Sequence, residues 1–126
     1  MNRMNIQNVK KFLVEKEERR RREREKTCNA VISMLKNEAG TFKKYNVHRA
    51  YLYGSIRNGN IHADSDVDIA VEGDMDFSDI LKMHTDLSKT LDRTVDVRQL
   101  EELPFSAKVK EKGLVIYERE TASPQK

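Results

Sequence analysis

Asp66 and Asp68 stand two residues apart in the run Asp66-Val67-Asp68-Ile69-Ala70-Val71-Glu72. The alternation predicts a strand, with Val67, Ile69 and Val71 on one face and Asp66, Asp68 and Ala70 on the other. Two carboxylates on one strand face have Cα atoms about 6.6 Å apart. At that spacing they can share a hard cation such as Mg²⁺, which takes oxygen ligands and keeps positions free for phosphate. The cation also offsets their mutual repulsion. Asp96 has the same parity relative to Val95 and Val97. If its strand lies beside the first, three acids gather on one side.

Ten residues separate Asp66 from the pair Gly54-Ser55, within Tyr53-Gly54-Ser55-Ile56-Arg57-Asn58-Gly59. A glycine after a strand lets backbone come close to a ligand, and N–H groups at a helical turn favour phosphate. The Ser55 hydroxyl adds a donor. Gly54, Ser55, Arg57 and Ser65 are therefore the candidate nucleotide contacts, and Asp66, Asp68 and Asp96 the candidate catalytic and metal-binding residues. Together they suit in-line displacement at phosphorus, with metal assistance to the attacking hydroxyl and the leaving pyrophosphate. Asp96 serves either as base or as a metal ligand. A calcium loop through Asp64, Asp66 and Asp68 is excluded. Ile69 stands where that loop needs glycine, and Met75 where it needs a bidentate glutamate.

These residues need a scaffold, and the pattern supplies one. Val47 to Tyr53 reads as a strand. Phe77, Ile80, Leu81, His84, Leu87 and Leu91 recur at helical spacing, and Thr94 to Arg98 alternates again. Pro104 opens a short helix running to Lys112, and Leu114 to Tyr117 is a last strand. Upstream, Ile6 to Ala39 has no Gly or Pro and is rich in helix formers, with Gly40 as its expected stop. Between its apolar ends, Glu15 to Lys26 carries no apolar residue. Two helices flanking a break and one helix crossing solvent both satisfy that pattern. The expectation is an α/β (α+β) fold: a small mixed sheet of about four strands flanked by helices, with a long N-terminal helical arm. The expected division is an arm over 1–40, a catalytic domain over 41–120 and a tail over 121–126.

Composition narrows the setting. With 126 residues, 37% hydrophobic and 36% charged, the chain holds one domain with a small core. No apolar run approaches the ~20 residues of a membrane span, and the polar first eleven residues give no expectation of a secretory leader. The single cysteine, Cys28, has no internal disulfide partner, which fits a reducing, cytoplasmic location. Residues 1–27 hold ten Lys/Arg against five Glu, and the remainder fourteen basic against sixteen acidic residues. The glutamates are interleaved with the arginines, so the arm reads as a solvated helix laced with i,i+4 pairs. It lacks the interleaved aromatics that stack on nucleic-acid bases.

Gly54-Ser55, ten residues, then Asp66-Val67-Asp68 resembles the signature of the DNA polymerase beta-like nucleotidyltransferase superfamily, and the short chain is similar to its minimal nucleotidyltransferase branch. The resemblance runs from about Val47 to Glu118. It includes Val95-Asp96-Val97, similar to the strand of the family's third acid, and the closing Lys112-Gly113-Leu114-Val115-Ile116-Tyr117-Glu118. It implies a nucleotidyltransferase (polymerase beta-like) fold, Mg²⁺ and a nucleoside triphosphate donor such as ATP. Minimal members are often encoded with a helical HEPN toxin and act as its antitoxin, and some transfer AMP to a tyrosine of that partner. The chain departs from the family where arginines often occupy the first and third positions after Gly-Ser: here these are Ile56 and Asn58. It carries no Arg-x4-His-x-Tyr pattern, so it does not resemble the HEPN toxin itself. Two other functions stay open: nucleotidyl transfer to a small aminoglycoside-like acceptor, and neutralisation of a partner by contact alone. The catalytic body of roughly seventy residues leaves little room for an acceptor pocket, so a partner chain or a second copy is expected to complete it.

Overall fold

The computed structural model describes residues 5–54 and 65–120; the expectations for Ser55 and Arg57, and the departures at Ile56 and Asn58, lie outside the described residues. The arm is one helix, α1 (Ile6–Lys36), about 46 Å long at 1.5 Å per residue. Asn5 caps it, its side chain accepting from the Gln7 amide at 2.9 Å. Its polar middle is continuous, carrying exposed ion pairs such as Arg24–Glu17 at 3.0 Å. Only Val31 and Leu35 are buried along its whole length, so packing anchors the C-terminal end alone. Gly40 does not stop α1. The helix already ends at Lys36, where the Asn37 amide donates to carbonyls of the last turn, and Gly40 lies within a second short helix, α2 (Ala39–Lys44).

Four strands follow: β1 (Val47–Tyr53), β2 (Val67–Gly73), β3 (Val95–Gln99) and β4 (Leu114–Glu118). Their order across the sheet is β3-β2-β1-β4. β1 is antiparallel to both β2 and β4, whereas β2 and β3 are parallel. The parallel pair requires a crossover, and α3 (Phe77–Leu91) provides it. A capping box starts α3: the Asp76 carboxylate accepts from the Asp79 amide and the Asp79 carboxylate from the Asp76 amide. Asp92 ends it in the left-handed conformation, at φ 51°. The amide of Val95 then donates to the Ser88 hydroxyl at 2.9 Å, tying β3 to its own crossover helix.

The two sheet faces are covered unequally. Leu52, Val67, Ile69, Val71, Val95, Val97 and Ile116 point into the main core, against Leu35 of α1, Phe42 of α2 and Met83 and Leu87 of α3. On the other face a smaller cluster joins Tyr51 and Ala70 to Leu100, Leu103 and Val109. These last come from a 3-10 turn (Leu100–Glu102), the loop after it and α4 (Ser106–Lys112). No helix among the described residues is long and apolar enough to cross a membrane.

Candidate functional site

The uncovered part of this second face carries the acids. Tyr53 of β1 pairs with Asp68 of β2, and Asp68 pairs in turn with Asp96 of the parallel β3. Register partners share a face, and neighbouring strands lie about 4.8 Å apart. Tyr53, Asp68 and Asp96 therefore form a row across three strands. Asp66, two residues before Asp68, shares that face at the strand entry. The entry itself is fixed twice: the Val67 amide donates to the Thr94 carbonyl at 2.9 Å, and the Arg93 guanidinium donates to the Ser65 carbonyl at 3.0 Å. Ser65 thus sits at the mouth of β2 beside the acids.

Gly54 closes the row on the β1 side. Its φ is +79°, and a Cβ built on it would stand 2.4 Å from the nearer carboxylate oxygen of Asp68. Both facts demand glycine: the backbone adopts a conformation that L side chains avoid, and the carboxylate occupies the space a side chain needs. The Gly54 turn and the Asp68 carboxylate are consequently in direct apposition.

Electrostatics mark Asp68 as the centre of the group. Partial burial raises its pKa above the ordinary carboxylate value, and the charges of Asp96 and Asp66 raise it further; Arg98 opposes them. Tyr53 is raised as well, first by burial and then by Asp68 and Asp96. Arg98 was not foreseen as a site residue. It lies two residues beyond Asp96 on the same strand face, and its Nε donates to the Asp96 carboxylate at 3.0 Å. Its own pKa is raised mainly by that bond. The signal was present in Val95-Asp96-Val97-Arg98, where parity puts the cation beside the acid.

Among the described residues, no three His, Cys, Asp or Glu side chains are already gathered as a metal centre. One oxygen of Asp96 is engaged by Arg98. The donor chemistry nevertheless fits a hard divalent cation. Every donor is a carboxylate oxygen, the acids come from adjoining positions of one face, and the repulsion that raises Asp68 is what a bound cation relieves. Asp66 and Asp68 are the residues that would hold it, with Asp96 next to them in the row.

Two hollows flank the row. One, of about 450 Å³, opens beside Asp96 and is lined by Phe77, Leu81 and His84 of α3 together with Arg98 and Glu102. The other, of about 600 Å³, opens beside Gly54 and Tyr53 under α4.

A model of the family described as polymerase beta, nucleotidyltransferase, matches residues 36–122. No curated protein sequence matches the chain. Several solved structures are similar in fold, three of them as follows. A toxin-antitoxin crystal structure with AMP-PNP aligns over 64% of this chain and 69% of its own, at 24% identity and a TM-score of 0.55. A toxin-antitoxin pair named MntA-HepT aligns over 69% and 73%, at 20% identity and a TM-score of 0.52. A protein described as a minimal nucleotidyltransferase aligns over 77% and 92%, at 25% identity and a TM-score of 0.52. With the family model extending from the end of α1 to beyond β4, the chain belongs to the polymerase beta nucleotidyltransferase family and is by class a transferase.

Proposed function

We propose that the chain transfers AMP from ATP, with Mg²⁺, to a hydroxyl of a partner protein of the HEPN toxin class, and so acts as an antitoxin. The observation that carries the chemistry is the in-register pair Asp68 and Asp96 on parallel strands, with Asp68 pressed against Gly54. The choice of acceptor draws on the toxin-antitoxin assemblies among similar folds, one of which holds AMP-PNP. It draws also on the small size of the body, whose acid row lies open on one side.

In this reading the backbone at Gly54, with Ser55, Arg57 and Ser65, orients the triphosphate. Asp66 and Asp68 would hold the Mg²⁺. When bound, that ion neutralises charge on the phosphates and favours the ionised acceptor hydroxyl. The acceptor enters from the hollow beside Asp96, whose walls include the exposed Phe77 and Leu81. Its oxygen forms a bond to the α-phosphorus as the bond to the bridging oxygen breaks, and pyrophosphate leaves on the opposite side. Asp96 takes the hydroxyl proton. Arg98 orients Asp96 through the hydrogen bond at 3.0 Å.

A contact-only antitoxin is the second reading, favoured by the exposed Phe12, Leu13 and Val14 on the free part of α1. One experiment separates the two. The protein is incubated with α-labelled ATP, Mg²⁺ and the helical protein encoded beside it. Label on the partner, absent with the Asp66→Asn, Asp68→Asn double variant, supports transfer. Tight association without label, unchanged in the double variant, supports contact alone.

A further inference from the structure

Most of α1 has no packing partner within its own chain. Val31 and Leu35 are its buried residues, and both lie in the last two turns. Helices draw most of their stability from packing one face, so the long overhang calls for a second surface. A stripe at alternating spacings of three and four residues runs beside the body-packed face. Its N-terminal end is apolar, with Ile6, Val9 and Leu13, and its C-terminal end is small or apolar, with Ala30 and Met34. Lys16, Arg20, Glu23 and Thr27 lie between them at the same spacing. This is the 3.5-residue repeat of a helix that pairs with another helix. Val9 and Thr27 are half-buried and the other members are exposed. Ile6 is 72% exposed, Leu13 55% and Met34 44%. The Thr27 hydroxyl donates to the Glu23 carbonyl at 3.0 Å, which satisfies it within the helix.

The charges on the stripe select its occupant. In a parallel pair of copies, Arg20 would meet Arg20 and Lys16 would meet Lys16. In an antiparallel pair, Arg20 of one copy faces Glu23 of the other, and the contact occurs twice by symmetry. The same register sets Val9 opposite Met34 and Leu13 opposite Ala30, so both ends close with apolar layers. Lys16 falls opposite Thr27, which has no charge. On one edge of the stripe, Glu17 falls near the partner's Arg24, its own intrahelical partner at 3.0 Å. On the other edge Arg19 falls near the partner's Lys26, where both long side chains can turn to water. Charged seam positions of this kind fix register and orientation at a cost in stability.

We infer that α1 is an interface between two copies of this chain, paired antiparallel along the stripe from Val9 to Met34. That overlap of 26 residues is nearly four heptads and about 39 Å long. The inference is independent of the transferase reading, because the family match begins at residue 36, where α1 ends.

Sedimentation velocity of the full chain over a range of concentrations tests it. The parent is expected to form a dimer that dissociates on dilution. Leu13→Glu and Met34→Glu, each at an exposed position, are expected to sediment as monomers. The near-ultraviolet spectrum of the four tyrosines, all outside α1, checks that the body stays folded. Arg20→Glu and Glu23→Arg each place like charges together and should weaken the dimer about tenfold. The Arg20→Glu, Glu23→Arg double variant restores opposite charges and should recover it. A monomeric parent overturns the inference, as does a dimer that survives both Leu13→Glu and Met34→Glu. A double reversal no stronger than the single ones overturns the antiparallel register. A monomeric parent whose stripe variants lose only the helical protein encoded beside it would assign the stripe to that protein, and the inference fails.

Discussion

The two faces of the sheet are made from the same strands, by alternate residues, and they meet opposite requirements. Leu52, Ile69 and Val97 lie side by side across β1, β2 and β3 on the closed face and are almost fully buried. One residue along each strand, Tyr53, Asp68 and Asp96 lie side by side on the other face, where like charges crowd and Asp68 resists ionisation. The closed face holds the protein together, and the open face tolerates repulsion that the closed face stabilises it against. Sites of this kind are where perturbed ionisation collects. A shift of one residue in either strand would exchange the two sets.

The sharpest break of this contrast is Ile69→Ala. Ile69 is fully buried, so its truncation should cost about 3 kcal/mol, within the range for core aliphatics. Chemical denaturation measures the loss, which far exceeds any effect of Asp68→Asn one position away. Next is Gly54→Ala, which forces a side chain into a positive-φ position and onto the Asp68 carboxylate. An expected cost of about 2 kcal/mol is coupled to loss of transfer, because the carboxylate must move. Labelled transfer and unfolding on the same samples would show both effects. A stable Gly54→Ala protein with full activity argues against the apposition. Smaller again is Arg98→Ala. Removing a residue that positions an acid without touching the phosphates should lower transfer about tenfold. It should also move the acidic limb of the pH profile upward, since Arg98 is the charge that lowers the Asp68 pKa. Partial rescue by Arg98→Lys, with the limb restored, distinguishes positioning from a loss of folding.

How far the sequence revealed this site follows from what alternation encodes. Strand faces were legible because Val67, Ile69 and Val71, and again Val95 and Val97, are apolar at every second position while the acids sit between them. Helix α3 was legible from its apolar stripe. The parallel register that sets Asp68 opposite Asp96 was not, because it depends on where a crossover helix delivers β3. That is settled by the packing of Met83 and Leu87 and by the Ser88–Val95 bond. Nor was the continuity of α1 legible, since a stretch without apolar residues is equally compatible with a break. The 3-10 turn at Leu100–Glu102 escaped for a similar reason: three residues carry no period. Strand parity already set Arg98 beside Asp96, but the hydrogen bond between them became visible only in the fold. The roles of Ser55 and Arg57 stay as the motif implies them.

The smallest effect probes the tension on the open face without any substrate. The Asp68 pKa is raised in the folded protein relative to the unfolded chain, so the folded state holds a proton that the unfolded state releases. Stability from this group is therefore greatest at acid pH. It falls as pH rises from the ordinary carboxylate range through the raised value in the fold. In chelator, Asp68→Asn removes the charge, and its unfolding midpoint at neutral pH should exceed the parent's by about 2–4 °C, or roughly 0.5–1 kcal/mol. Below the ordinary carboxylate pKa the difference should shrink, since the parent's Asp68 is then neutral as well. Adding Mg²⁺ at neutral pH should raise the parent's midpoint and leave that of Asp68→Asn nearly unchanged. A variant no more stable than its parent at neutral pH, together with a parent indifferent to Mg²⁺, would mean that the acids bear no mutual strain. The face would then be an ordinary solvated strand edge, distinguished from the closed face only by its polarity.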